Sequence, residues 1–98
     1  MKKIFGVMDM KVKFFAYLRD YTKTKEIEVK NCETVRELLK RLSEIYGGKF
    51  AKEVFEGENL SSRIIVLVNG RNIVHLENLD TKLKDEDEIS LFPVVAGG

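Results

Sequence analysis

One amphipathic helix, sharply bounded at both ends and set among strand-like segments, constrains this chain more than any other feature. Thr34-Val35-Arg36-Glu37 is a capping box: the threonine hydroxyl accepts from the third helical N–H, and Glu37 reaches back to the cap's own N–H. Val35, Leu38, Leu39, Leu42, Ile45 and Tyr46 follow at three- and four-residue spacing, laying one apolar stripe along a helix. Gly47-Gly48 ends it, because glycine takes the left-handed conformation after a helix without a Cβ penalty. A single stripe needs a single apolar surface to cover it, and the flanking segments supply a sheet face.

Before the helix, Lys11 to Leu18 alternates as a strand, with Val12, Phe14, Ala16 and Leu18 on one face and Lys11, Lys13, Phe15 and Tyr17 on the other. Asp20 to Lys25 is polar and turn-like, and Glu26 to Lys30 alternates again with Ile27 and Val29 inward, completing a hairpin. After the helix, Lys49 to Ser62 is compatible with a short helix or with a loop pinned by Phe50, Val54 and Phe55. Ile64 to Val68 is a β-branched run too short for a helix. Asn69-Gly70 then marks a turn into a short strand near Asn72 to Val74. Leu79 to Asp87 forms a connection, and Glu88 to Phe92 makes the last strand. The expected architecture is α+β, a ubiquitin-like β-grasp: a mixed sheet of four to five strands with the main helix on one face. Residues 10–93 form the domain, 1–9 an N-terminal extension and 94–98 an extended tail.

Lys and Arg number 17 against 16 Asp and Glu, a net charge of +1, which argues against nucleic acid as a partner because phosphate binding needs clustered, uncompensated cations. The one cysteine, Cys32, excludes an internal disulfide, a four-thiolate metal site, an iron–sulfur cluster of the β-grasp ferredoxin kind and a CxxC pair. A reducing, cytoplasmic setting is expected. The apolar run after Lys2-Lys3 is short and broken by Asp9, unlike a signal peptide, and no stretch reaches the roughly 20 apolar residues of a membrane span.

The end, Phe92-Pro93-Val94-Val95-Ala96-Gly97-Gly98, carries the chemistry. Pro93 lacks the N–H that sheet pairing needs, so pairing is expected to stop there. Five extended residues beyond it reach about 17 Å. Ala96, Gly97 and Gly98 present little side chain, so another protein can close around the tail and bring the terminal carboxylate, ionised at pH 7, to a reagent such as the α-phosphate of ATP.

These residues resemble the ubiquitin-like sulfur carriers, in particular the small subunit of molybdopterin synthase. The resemblance rests on Met10 to Asp20, Val68-Asn69-Gly70, Leu83 to Ile89 and Phe92 to Gly98. Phe-Pro followed by Ala-Gly-Gly favours the molybdopterin branch over the thiazole branch. The family tail commonly has a second proline where this chain has Val94, residues before Met10 extend past the usual start, and Lys49 to Ser62 is longer than in the shortest relatives. The resemblance implies that a ubiquitin-activating-type adenylyltransferase spends ATP to convert Gly98 to an acyl-adenylate, which a sulfur donor turns into a thiocarboxylate. The carrier then docks on the large synthase subunit, two carriers on a dimer of large subunits. There it gives its sulfur to cyclic pyranopterin monophosphate, supplying no catalytic side chain and binding no cofactor. Other carriers of the group serve thiazole synthesis or tRNA thiolation, and protein modifiers form an isopeptide through the same glycine. A plain interaction module with an incidental tail is the remaining alternative.

With the helix covering one sheet face, the other carries Phe15, Tyr17, Phe92 and the alternate members of Ile64 to Val68, an apolar docking surface beside Pro93, Val94 and Val95. It stays open unless Lys49 to Ser62 folds over it. Cys32 reads as a buried structural thiol, His75 as an ordinary surface histidine, and Asp85 to Glu88 as a solvated turn. Lys2, Lys3, Lys11 and Lys13 read as an edge-strand solubility device.

Overall fold

The computed structural model describes residues 9–94. Strands β1 (Met10–Phe14) and β2 (Glu26–Val29) form the expected antiparallel hairpin, with Met10 opposite Val29 and Val12 opposite Ile27. Val29 is buried and Ile27 packs on the core. The first strand is shorter than its alternation suggests. Ala16 takes φ 54°, a left-handed conformation that ends the strand, and Leu18–Thr22 forms a short helix, α1. Leu18 is fully buried all the same, from the helix rather than the sheet. Asp20 and Tyr21, read as turn, therefore belong to α1.

Helix α2 spans Val35–Tyr46. Thr34 Oγ1 accepts from the Glu37 N–H at 3.2 Å, as the capping box requires. The Glu37 carboxylate, however, takes the N–H of Glu33 at 2.8 Å, one residue earlier than expected. Val35, Leu38, Leu39 and Leu42 are fully buried, whereas Ile45 at the expected end of the stripe is half exposed. Tyr46 sits edge-on to Phe14, with ring centroids 5.7 Å apart. Gly47 has φ 98° and ψ −177°, outside the left-handed helical well and open only to glycine, and Gly48 begins a third helix, α3 (Gly48–Val54). The glycine pair ends α2 as expected, with the Gly47 N–H closing on the Ser43 carbonyl at 2.8 Å, and also serves as the joint to α3.

The segment left open between helix and loop is both: α3, then a small hairpin of β3 (Phe55–Glu56) and β4 (Asn59–Leu60). Phe50 and Val54 of α3 are fully buried, Phe50 edge-on to Phe14 at 6.1 Å. Strand β5 (Ile64–Val68) turns through Asn69 and Gly70, at φ 51° and 85°, into β6 (Arg71–Asn72). Two positive φ angles are what a tight hairpin turn of matching twist demands. The strand expected to reach Val74 stops at Asn72, whose side chain accepts from the Val74 N–H at 3.0 Å and starts a 3₁₀ turn, Ile73–His75.

The last strand, β7 (Glu88–Pro93), lies between β1, to which it runs parallel, and β5, to which it is antiparallel, so the sheet order is β2-β1-β7-β5-β6. The mixed five-stranded sheet packs the apolar stripe of α2 against Val12, Phe14, Val66, Ile89 and Leu91, the β-grasp arrangement. Each such fully buried aliphatic or aromatic side chain contributes about 1.5–3 kcal/mol.

Candidate docking face and tail exit

The sheet face turned away from α2 is assembled from alternate residues of three strands. Phe92 lies opposite Ile65, and Ser90 opposite Leu67. Phe15, just past β1, donates its N–H to the Leu91 carbonyl at 3.1 Å, and its ring stacks on Phe92 with centroids 4.2 Å apart and planes within 10°. Arg19 Nε donates to the Phe14 carbonyl at 2.8 Å, which holds the guanidinium 5.7 Å from the Phe15 ring centre. Phe15, Ile65, Leu67 and Phe92 are each half-buried, an aromatic and aliphatic patch at one end of the face. The other end is charged, with Lys13 Nζ 2.6 Å from Glu88 and Lys11 3.9 Å from Glu26. Helix α3 packs on the helical side through Phe50 and Val54 and so leaves the patch open, while Asn59 to Ser62 line a groove with Ile65 and Val94 at its margin.

Tyr17 does not share this sheet face. It caps the N-terminus of α1 in a helical conformation, and its hydroxyl donates to Glu53 Oε1 on α3 at 3.1 Å. Partial burial and that carboxylate raise the hydroxyl above the ordinary phenol range. At 41% exposure Tyr17 remains accessible, beside the patch rather than within it.

The tail exit differs from expectation at Pro93. Pairing continues through it: Pro93 lies opposite Ile64, and the Val94 N–H donates to the Arg63 carbonyl at 2.7 Å. Pro93 occupies a site of the β5–β7 ladder that uses no N–H of its own, so the ring costs nothing there. On the β1 side, the Phe15 carbonyl would take the N–H of this position, and the ladder ends. Val94 thus has its backbone tied down and its side chain 43% exposed at the edge of the patch. Val95, Ala96, Gly97 and Gly98 lie outside the described residues, as do residues 1–8 of the N-terminal extension, including Lys2 and Lys3.

Cys32 is buried in the core, and burial raises its thiol above the ordinary value, as a structural role requires. His75 is exposed at the end of its 3₁₀ turn. The acidic run is not simply solvated: Asp87 is buried, accepting from Asn69 Nδ2 at 2.8 Å and from the Lys84 N–H at 2.7 Å. Lys11 and Lys13 lie on an interior strand of the sheet, not an edge, and each is paired with a glutamate. Among the described residues no three His, Cys, Asp or Glu side chains converge as a metal site, and no helix is long and apolar enough to cross a membrane. Sequence reasoning missed Arg19 and Glu53, whose partners are distant or non-periodic in the chain.

The sequence matches the ThiS family over residues 12–98. It is 38% identical over 93 residues to small archaeal modifier protein 3 of Haloferax volcanii, covering 93% of this chain and 100% of that one. The fold superposes on small archaeal modifier protein 1 of Methanosarcina acetivorans with a TM-score of 0.81 at 39% identity, over 93% of this chain and 97% of the other. It also matches a candidate molybdopterin converting factor, subunit 1, from Pyrococcus furiosus, at TM-score 0.72 and 33% identity, over 90% and 99% of the two chains.

Proposed function

The chain belongs to the ThiS family and is a ubiquitin-like sulfur carrier or modifier; on that premise we propose that it serves as the sulfur-carrying small subunit of a molybdopterin synthase. The observation that carries this reading is the juxtaposition of the stacked Phe15–Phe92 patch with the anchored root of the tail at Val94. A partner that closes on the patch receives the tail from a defined point. The Phe92-Pro93 and Ala96-Gly97-Gly98 pattern and the likeness to the Pyrococcus furiosus protein support the molybdopterin branch.

In this reading one oxygen of the Gly98 carboxylate attacks the α-phosphorus of ATP on a ubiquitin-activating-type adenylyltransferase, expelling pyrophosphate. A hydrosulfide equivalent then attacks the acyl carbon and expels AMP, leaving a thiocarboxylate. Activation is needed because a carboxylate is a poor electrophile, and the thiocarboxylate sulfur is the stronger nucleophile. Enclosure of the tail by the large subunit keeps water from hydrolysing it before sulfur reaches cyclic pyranopterin monophosphate. Phe15, Phe92, Val94 and Val95 contribute docking contacts, with Tyr17 at the margin, while Ala96 and Gly97 let the channel close. Pro93, expected beside the docking surface, is instead buried, because alternation along β7 turns it to the helix side with Ile89 and Leu91.

A second reading, conjugation of Gly98 to lysine amines, is favoured by the two similar proteins named as small archaeal modifiers. It shares the adenylation and parts from the first at the acceptor. Intact mass after incubation with ATP, sulfide and the host adenylyltransferase separates them. A gain of about 16 Da, one oxygen replaced by sulfur, followed by loss of that mass when the large subunit and the pterin precursor are added, supports the carrier. Adducts on lysines of other proteins without the 16 Da species favour the modifier. A chain that gives neither product sinks both.

A further inference from the structure

Val94 is held by the carbonyl of Arg63, and the turn that presents this carbonyl is braced from α3 and β3. Ser61 donates its N–H to the Val54 carbonyl at 2.9 Å, and Arg63 donates its own to Ser61 Oγ at 3.1 Å. The Glu56 carboxylate accepts from the Ser62 N–H at 3.3 Å and from the Ser62 hydroxyl at 3.2 Å. The Arg63 side chain reaches back over α3, with Nη2 donating to the Lys52 carbonyl at 3.3 Å and lying 3.7 Å from Glu53 Oε2.

Glu53 is the hub of this arrangement. Its side chain is only 15% exposed. Oε1 accepts from the Tyr17 hydroxyl and Oε2 from the Tyr21 hydroxyl at 3.3 Å, while the Arg63 guanidinium approaches Oε2. Each of these three partners brings a donor, and the carboxylate meets them with acceptor sites on both oxygens. Glu53 therefore links α1, which leads away from Phe15 at the patch, to the turn that holds the tail root.

We infer that Glu53 is a positioning residue for tail delivery: through Arg63 it fixes the turn that holds Val94, and so sets where the tail leaves the docking face. The inference rests on the reading that Gly98 is the reacting group. A tail started from a displaced root still lets the patch dock, but it presents its end out of line with the reagent, and small misplacements are costly in rate.

The test uses the full chain with Glu53→Gln, which preserves size but turns one end of the side chain into a donor. Two readouts are taken: amide hydrogen exchange of Val94 in the free protein, and kcat and KM for adenylation with the chain as the varied substrate. Val94 exchange should rise about tenfold while Ile89 and Leu91 stay protected. kcat should fall about tenfold with KM within about twofold. Arg63→Ala, which keeps the carbonyl, should reproduce both effects, and the double variant should be no worse than either single. Unchanged Val94 exchange, faster exchange with unaltered kcat, or additive losses in the double variant would each overturn the inference. If even the unaltered chain is not adenylated, the reading of Gly98 falls on its own, and Val94 exchange alone decides the brace.

Discussion

Asn69 and Asp87, 18 residues apart in the chain, are joined by a 2.8 Å hydrogen bond from the Asn69 amide to Asp87 Oδ1. The other end of the Asn69 side chain accepts from the Glu88 N–H at 2.9 Å, and the Asn69 N–H donates to the Glu88 carbonyl at 2.7 Å. Asp87 also accepts the Lys84 N–H on its second oxygen, and its carbonyl accepts from the Lys11 N–H at 3.1 Å. The pair locks the β5–β6 turn to the start of β7 and to β1.

Asp87 is buried and Asn69 exposed, so Asn69→Ala leaves a buried carboxylate short of a donor, whereas Asp87→Ala strips the Lys84 N–H of its acceptor and returns the Asn69 amide to water. Each should cost about 1–3 kcal/mol, Asn69→Ala at the upper end. Asn69 adds a conformational reason, since its φ of 51° suits asparagine better than alanine. Urea unfolding should show the double variant destabilised by less than the sum of the singles. Singles within about 0.5 kcal/mol of the parent would mean that the lock contributes nothing net.

The Phe15–Phe92 stack is half-buried in the free chain and central to the proposed docking face. Phe92→Ala should weaken binding to the adenylyltransferase by about 2 kcal/mol, roughly thirtyfold in Kd, as for an aromatic anchor. Calorimetric titration reports this directly. An unchanged Kd would remove the patch from the interface.

The Lys13–Glu88 pair gives the fold a pH dependence with a defined sign. The hydrogen bond and charge of Lys13 hold the Glu88 carboxyl below its ordinary value of 4.5, so its contribution is present above pH 4.5 and fades as pH falls through the lower folded value. Glu88 in turn holds Lys13 above 10.5, so that contribution is present below pH 10.5 and fades as pH rises through the higher folded value. The stability difference between the parent and Lys13→Met should therefore narrow at both pH extremes. It should also shrink at about 1 M salt, where the Debye length is about 3 Å. A difference constant across pH and salt would assign Lys13 a packing role instead.

Burial raises the Cys32 thiol above 9.0, so the folded chain holds it neutral and shielded. Alkylation near pH 8 should be at least about a hundredfold slower in the native protein than in urea, because the reagent needs both access and thiolate. Equal rates would contradict a structural thiol. The raised value also means that this site favours the fold fully below pH 9.0 and less as pH climbs through the folded value.

Much of the candidate docking face was legible in the chain. Alternation placed Phe92 and the outward members of Ile64 to Val68 correctly, because a strand with one covered face enforces a period of two. Phe15 was placed correctly for the same reason. Tyr17 was not, since alternation over a few residues cannot register a left-handed Ala16, which turns the chain into α1. The brace on the tail root was invisible, because Glu53, Arg63 and Tyr17 lie far apart in sequence and share no periodicity.

By itself the sequence determined the elements whose physics is local: the Thr34 cap, the stripe of α2, the Asn69-Gly70 turn and the last strand up to Phe92. These depend on neighbours within a few residues, where hydrogen-bond geometry and side-chain period act directly. Tertiary structure alone decided that the chain resumes as α3 directly after Gly47, and that Lys13 lies on an interior strand. It also decided that Pro93 still pairs with Ile64 while ending the ladder to β1. Each depends on which segment lies alongside, a choice made by burying the apolar face of the sheet under α2 and α3, and nonlocal packing of that kind leaves no period in the chain.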